Sequence, residues 1–301
     1  MPTHRSGSTQ LLWRALYETL CALGRPFGGV RPRRIYDLLG RRAYPIPHYQ
    51  WHRNRWGDEL LLSPSFHIDR NILVFGNYDD ALHQFIESRV TPGMICMDVG
   101  ANLGEMALHM ARLAGGTGKV YAFEPVPVVF DRLRQHVDRN GYAGIIEPVQ
   151  IALGDRSGER VMALADENAD NQGLASIVNL DRREVPGRAV VSGTTLDEFV
   201  KQRGIHRLDL IKVDIQGAEL EFLNGGQSTL AELAPELVME VSPGDMAAFG
   251  KNSRDLCGLI ESFGYSIRHL SASGKAGRVI RAAEVAPNFA AVNVVCSKRR
   301  R

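Results

Sequence analysis

From residue 93 onward, short apolar runs alternate with stretches whose apolar residues recur at helical spacing. The runs fall at Met94–Val99, Lys119–Phe123, Glu147–Ala152, Leu208–Val213, Glu236–Val241, Tyr265–Leu270 and Phe289–Val295, which predicts seven strands. Between the first two, Met106, Ala107, Met110, Leu113 and Ala114 fall on one face of a helix over 104–113. Pro127 is placed to open a helix that runs to Asn140, with Gly141 as its stop. A capping box, Thr195-Leu196-Asp197-Glu198, opens a short helix to Arg203. Further helices are expected near Ala218–Leu223 and Ser253–Phe263. Regular strand–helix alternation implies an α/β fold: a mostly parallel, Rossmann-like sheet with helices on both faces.

The pattern before residue 93 is different. A helix is expected at Asp80–Arg89. Short runs at Glu59–Leu62 and Asn71–Phe75, with turn residues between them, suggest a hairpin-like preamble. Residues 1–45 read as an extension with one amphipathic helix, Thr9–Leu23, followed by a Gly/Pro/Arg stretch from Gly24 to Arg34, and are expected to be poorly ordered or peripheral. The expected organisation is a basic extension (1–45), a preamble (46–92) and a main domain (93–297).

Charge sharpens this division. The net charge of +2 hides ten Arg against two acids in residues 1–56, and 26 basic against 32 acidic residues in the remainder. The local excess suits an anionic surface, and peripheral association of residues 1–45 with an anionic membrane is expected. No apolar stretch is long enough to span a bilayer, and no signal-peptide pattern is present, so a cytoplasmic location is expected. The four Cys (21, 96, 257, 296) have no metal-ligand or disulfide spacing, and Cys96 and Cys296 read as small core residues. The 155–195 region is less regular and reads as a β-hairpin with a loop. Its Asn168, Asp170, Asn171, Gln172, Ser176 and Asn179 suit recognition of a hydroxyl-rich acceptor as well as they suit a solvated surface.

The candidate chemistry begins at Asp98-Val99-Gly100-Ala101-Asn102-Leu103-Gly104, between a strand and a helix. Such a turn is where a nucleotide-like cofactor can rest against backbone amides, with glycines where a Cβ would block the turn or the ligand. Glu124 follows 20 residues after Gly104, at a strand end, the separation expected of a carboxylate that accepts hydrogen bonds from ribose hydroxyls. Asp98 chooses among adenosine cofactors: it would repel a pyrophosphate but favour the cationic amino-acid end of S-adenosylmethionine, directly or through water.

These residues resemble the FkbM type of class I S-adenosylmethionine-dependent methyltransferase. The resemblance is carried by Met97–Gly104, Phe123-Glu124-Pro125, Ala152-Leu153-Gly154, Thr195-Leu196-Asp197, Ile211-Lys212-Val213-Asp214-Ile215-Gln216-Gly217-Ala218-Glu219 and Met239-Glu240-Val241, with Gly76-Asn77-Tyr78-Asp79 upstream. It implies that Asp98, Gly100, Ala101, Asn102 and Gly104 shape the cofactor turn, that Glu124 and Pro125 hold the ribose side, and that Ala152 and Leu153 lie near adenine. Gln216 stands where the family more often has Glu.

Methyl transfer to a hydroxyl needs an aligned nucleophile and a group that takes its proton. Asp214 and Glu240, at the ends of two central strands, are the candidate catalytic residues: Asp214 as general base with Glu240 orienting, or both on Mg²⁺, the metal-free reading being favoured. No metal ligand is assigned. Lys212 needs a partner, and Asp98 or Glu240 are the natural choices; Glu219 and Glu221 read as capping and mixed-face residues. The expected activity is O-methyl transfer to a sugar, glycan or hydroxylated metabolite. The competing readings are N-methyl transfer, an NAD(P) oxidoreductase, a nucleic-acid methyltransferase, although no specific nucleic-acid partner is expected, and a non-catalytic membrane module on the same fold.

Overall fold

Residues 7–24, 38–40, 42–44, 47–163, 176–177, 188–248, 250–285 and 291–298 are described by the structure, a computed structural model. The chain divides between Tyr78 and Asp79 into two units.

In the first unit, helix α1 (Gly7–Gly24) sets Trp13 and Tyr17 into a small cluster with Leu39, Ala43, Tyr44 and Val74. Strands β1 (Gln50–Arg53) and β2 (Glu59–Leu62) form an antiparallel hairpin. Asn54 closes its turn, accepting from the backbone N–H groups of Trp56 (3.0 Å) and Asp58 (2.9 Å). Helix α2 (His67–Phe75) follows and ends at Gly76, whose φ of 84° supplies the left-handed stop. Asn71–Phe75 is therefore helix and not the second arm of a hairpin, and the partner of Glu59–Leu62 is Gln50–Arg53. Ile72, Leu73 and Val74 are all buried, so the short apolar run carries no strand periodicity that could have told the two apart.

The second unit opens with α3 (Asp80–Arg89), capped by Asp79 through the Leu82 N–H. Then come β3 (Ile95–Val99), α4 (Glu105–Ala114), β4 (Lys119–Phe123), α5 (Pro127–Arg139) and β5 (Ile146–Val149). Four short strands follow: β6 (Ala152–Leu153), β7 (Gly158–Ala163), β8 (Ser176–Ile177) and β9 (Arg188–Thr194). The chain continues through α6 (Leu196–Arg203), β10 (Leu210–Val213), α7 (Glu219–Asn224), α8 (Gln227–Glu232) and β11 (Glu236–Val241). It ends with α9 (Pro243–Ala248), α10 (Ser253–Ser262), β12 (Ser266–Leu270), β13 (Ala276–Ile280) and β14 (Val292–Ser297).

The main sheet has eight strands in the order β13-β12-β14-β11-β10-β3-β4-β5. The five strands from β5 to β11 are parallel, and β14, β12 and β13 are antiparallel to their neighbours. The edge strand β13 adds to the seven read from the sequence. Its half-exposed residues at an edge lack the apolar run that marks a central strand. The run at Glu147–Ala152 breaks in two. Ile146–Val149 stays in the main sheet, while Ala152 and Leu153 pair with Gly193 and Thr194 in a second, four-stranded sheet. The 155–195 region contains an antiparallel sheet in which β7 pairs with β8 on one side and β9 on the other. Of its polar residues, Asn168, Asp170, Asn171, Gln172 and Asn179 lie outside the described residues.

Succession β3-β4-β5 builds the sheet in one direction from β3, and β10-β11 builds it in the other. The order therefore reverses between β3 and β10, and in open α/β sheets a ligand crevice lies at the carboxyl ends of the strands at such a switch point. The core beneath it includes Val99, Phe123, Phe199, Val213 and Phe222, all buried, with Phe123 edge-on to Phe199 at 4.8 Å between centroids. Cys96, Cys257 and Cys296 are buried free thiols. Among the described residues, no helix is long and apolar enough to cross a membrane.

Phe123→Ala should lower the free energy of unfolding by about 3–5 kcal/mol in urea denaturation, because it empties a ring-sized volume that its neighbours cannot refill. Val128→Ala, at an exposed position of α5, should stay within about 0.5 kcal/mol of wild type.

Candidate functional site

Asp98 and Lys212 are register neighbours on β3 and β10, the two strands that flank the switch point. Lys212 Nζ lies 3.0 Å from Asp98 Oδ1 and donates to the Gly100 carbonyl at 2.9 Å. It also stands 3.9 Å from Asp214 Oδ2. Both members of the central pair are buried. Burial pushes the Asp98 carboxyl up, opposed chiefly by Lys212 and also by the Ala107 N–H in the first turn of α4. Burial alone would lower the Lys212 ammonium, but Asp98 and Asp214 hold it above its usual value. Asp98 thus has no exposed surface. Of the two partners considered for Lys212, the structure supplies Asp98.

The turn that follows is built on left-handed backbone at Gly100 (φ 76°), Asn102 (φ 50°) and Gly104 (φ 90°). A Cβ on Gly100 would come 1.9 Å from the Asp214 carbonyl oxygen, and one on Gly104 would come 2.4 Å from Leu133 Cδ1. The glycines therefore admit the close approach of the protein's own backbone and side chains.

The amides of this turn are also spoken for. Gly100 N–H (3.1 Å) and Ala101 N–H (2.8 Å) donate to the Phe123 carbonyl, and Gly104 N–H (2.8 Å) donates to that of Ala101. Leu103 N–H donates to Asn102 Oδ1 at 2.7 Å, and Asn102 N–H to Glu124 Oε2 at 3.0 Å. All five of these amides thus donate within the protein. The first turn of α4, where a phosphate would otherwise gain from the helix N-terminus, faces the carboxylate of Asp98 instead. This arrangement has no place for a pyrophosphate, which disfavours the dinucleotide reading.

It does fit a phosphate-free adenosine. Glu124 follows β4 directly, its Oε1 accepting from Val126 N–H at 2.9 Å and its Oε2 from Asn102 N–H. Each carboxylate oxygen retains further acceptor capacity for a ribose hydroxyl. Burial pushes the Glu124 carboxyl up to about 7, against the two N–H donors and Lys212. Pro125, Ala152 and Leu153 are buried beyond it. Ala152 packs with Val126, Val129, Met162 and Val191. Among the anticipated cofactor residues, Gly100 and Asn102 are the two that retain partial exposure.

The second group of acids lies at the ends of β10 and β11. Val213 pairs with Met239, so Asp214 and Glu240 are the next residues on adjacent parallel strands. Asp214 is half-buried, and its Oδ1 accepts from the Gln216 side-chain amide at 2.8 Å. Glu240 is also half-buried, and its carboxyl is pushed up to about 7 by burial and by Asp214, Asp245 and Glu219, with Lys212 opposing. Glu219 is buried and caps the loop, its Oε1 accepting from the N–H groups of Ile215 (3.3 Å) and Gly217 (3.2 Å). Glu221 pairs with Lys251. Among the described residues, no three His, Cys, Asp or Glu side chains converge as metal ligands do.

Two residues of this region have contacts that the sequence reading did not assign. Gln216 has the donor a glutamate would lack, so this departure gives Asp214 a neutral hydrogen-bond partner in place of a second charge. Asp245, near the start of α9, adds negative potential at Glu240; its one signal is the Ser242-Pro243 helix start just after β11. The Thr195-Leu196-Asp197 motif is structural. Thr195 Oγ1 caps α6 through the Glu198 N–H at 3.1 Å, and Asp197 accepts from the Ser228 (3.0 Å) and Thr229 (2.8 Å) N–H groups at the start of α8. Glu198 also accepts from the Thr194 and Ser157 hydroxyls.

Known proteins are similar to this chain in sequence. A family model described as "Methyltransferase FkbM domain" matches residues 98–267. The 31-O-demethyl-FK506 methyltransferase FkbM of Streptomyces tacrolimicus is 30% identical over 180 residues, covering 52% of this chain and 68% of that protein. The hexuronic acid methyltransferase AglP of Haloferax volcanii is 29% identical over 136 residues, 45% of this chain and 51% of its own. The 2-O-methyltransferase NoeI of Sinorhizobium fredii is 24% identical over 159 residues, 50% of this chain and 64% of its own. The chain spans less than two thirds of the length of most of the curated relatives it matches. The family match covers more than half of the chain, from the Asp98 turn into β12, and the chain belongs to the FkbM family of S-adenosylmethionine-dependent methyltransferases.

Proposed function

We propose that this protein is an O-methyltransferase that acts on a hydroxyl of a sugar, glycan or hydroxylated small metabolite, with Glu240 as the general base and Asp214 as the group that orients the acceptor. The observation that carries this reading is the pair of half-buried carboxylates at the adjoining ends of β10 and β11, one of them with its pKa pushed up to about 7. A general base works best with a pKa near the working pH. Glu240 meets that condition, whereas Asp214 is engaged by the Gln216 amide and faces Lys212. The environments of the two acids favour this assignment over the one in which Asp214 takes the proton. Bound S-adenosylmethionine would supply an electrophilic methyl on a sulfonium. Glu124 would hold its ribose hydroxyls, Gly100 and Asn102 would border it, and Pro125, Ala152 and Leu153 would form the apolar wall beneath its base. Asp98 would act at one remove, by fixing Lys212 and, through it, the Gly100 carbonyl. The relatives named as a 31-O-demethyl-FK506 methyltransferase, a hexuronic acid methyltransferase and a 2-O-methyltransferase support a hydroxyl as the acceptor group.

Three outcomes follow. Glu124→Ala should weaken S-adenosylmethionine binding about 10- to 100-fold by calorimetry, the loss expected when a charge-assisted hydrogen bond worth about 1.5–3 kcal/mol is removed. Unchanged affinity would remove Glu124 from the cofactor site. In the presence of S-adenosylmethionine, a panel of uronic acids, neutral sugars and macrolides should yield at least one O-methylated product, identified by mass and by NMR. Because the Glu240 carboxyl is raised, it is protonated below pH 7 and ionised above, so kcat/KM should rise with pH to a midpoint near 7. Glu240→Gln should abolish that rising limb, and Gln216→Glu, which adds a charge beside Asp214, should move the midpoint upward. Transfer confined to amines or nucleic acid, or a rising limb that survives Glu240→Gln, would contradict the proposal.

A further inference from the structure

Helix α1 faces the wrong way for an ordinary core helix. Its aromatic side is the anchored side: Tyr17 is buried, and Trp13 packs beside it against the cluster of Leu39, Ala43, Tyr44 and Val74. Polar bonds fix the orientation. Arg14 Nε donates to the Ala43 carbonyl at 3.2 Å, and Tyr44 OH donates to Glu18 Oε1 at 2.6 Å. The Arg14 guanidinium also lies over the Tyr44 ring. This docking turns Leu11, Leu12 and Leu16 outward, with exposures of 66%, 69% and 44%. Together with exposed Ala15 and Thr19, they occupy about 140° of the helix circumference. Leu38, in the same unit, is half exposed as well. Of the ten large apolar side chains exposed among the described residues, seven fall within residues 1–78.

The same part of the chain holds the basic excess, ten Arg against two acids over residues 1–56, and one of those acids, Glu18, already accepts a hydrogen bond from Tyr44. We propose that the leucine face of α1 is a docking surface for an anionic lipid bilayer. An apolar helix stripe in a segment with a basic excess is the combination that seats a helix in the plane of a charged membrane, the leucines entering the acyl boundary and the positive charge of the segment drawing it to phosphate headgroups. No described helix is long and apolar enough to cross a membrane, so the contact is one of lying on the surface. A second copy of the chain is the poorer occupant, because it would bring the same positive excess to the interface. The surface is independent of the acceptor and of the carboxylates at the strand ends.

The test uses the full chain in vesicle flotation at physiological salt, against phosphatidylcholine alone and against phosphatidylcholine with phosphatidylglycerol. Wild type should bind the anionic vesicles about ten-fold or more tightly than the neutral ones. Leu11→Ser/Leu12→Ser/Leu16→Ser should lose about ten-fold of that binding while titrating S-adenosylmethionine as wild type does, which also shows that the variant is folded. Leu12→Trp should shift its fluorescence to the blue on adding anionic vesicles. The proposal is overturned by wild type that stays unbound, by a triple-serine variant that binds as tightly as wild type, or by a wild-type dimer that the triple variant dissociates.

Discussion

The buried ion pair between Lys212 and Asp98 is the constraint on which the rest of the site depends. Two charges taken out of water at the centre of a parallel sheet are tolerable only with good geometry and further hydrogen bonds. Here the pair joins the two strands between which the sheet reverses its order. The ammonium also binds the first carbonyl of the glycine turn and faces Asp214, while the carboxylate is met by the first turn of α4. One cation thus ties together the ends of β3 and β10, the turn between β3 and α4, and the acid that heads the second motif. The close fit of Gly100 against the Asp214 carbonyl is the same junction seen from the backbone.

Once that junction is fixed, the remaining charges sort by environment. Glu124 is buried with two amide donors and sits beside a turn whose amides are all in use, which selects a ligand with hydroxyls over one with phosphates. Glu219 is consumed by the loop that carries Asp214. Asp214 and Glu240 remain half open, and burial, together with the neighbouring acids, pushes the Glu240 carboxyl up to about 7. A site with one deeply held cation and several carboxylates suits the approach of a cationic sulfonium and the removal of a hydroxyl proton. It would suit a dinucleotide phosphate poorly.

The parallel half of the sheet was legible because its strands are buried on both faces and read as continuous apolar runs. Asp98, Glu124, Asp214 and Glu240 were legible because each falls at or just beyond a strand end. The edge strand β13, with exposed residues and no run, was not legible. Nor was α2, where Ile72, Leu73 and Val74 are buried together and the pattern is silent about period. The partner of Lys212 was narrowed to two acids from sequence, but only strand register could choose Asp98. The use of the turn's amides was invisible, because hydrogen bonds from Gly100 and Ala101 to the Phe123 carbonyl depend on how far β4 extends beside β3. Gln216 could be noticed as a departure, yet its meaning required the 2.8 Å contact with Asp214.

A double-mutant cycle on the central pair tests the account most directly, read both as stability in urea and as S-adenosylmethionine affinity. Asp98→Asn and Lys212→Met should each cost about 3–5 kcal/mol of stability, because each leaves its partner buried and uncompensated, and each should weaken cofactor binding. The double variant should lose clearly less stability than the two single losses together, since it removes both charges at once. Losses that simply add, or single variants as stable as wild type with cofactor affinity intact, would contradict the claim that this pair organises the site.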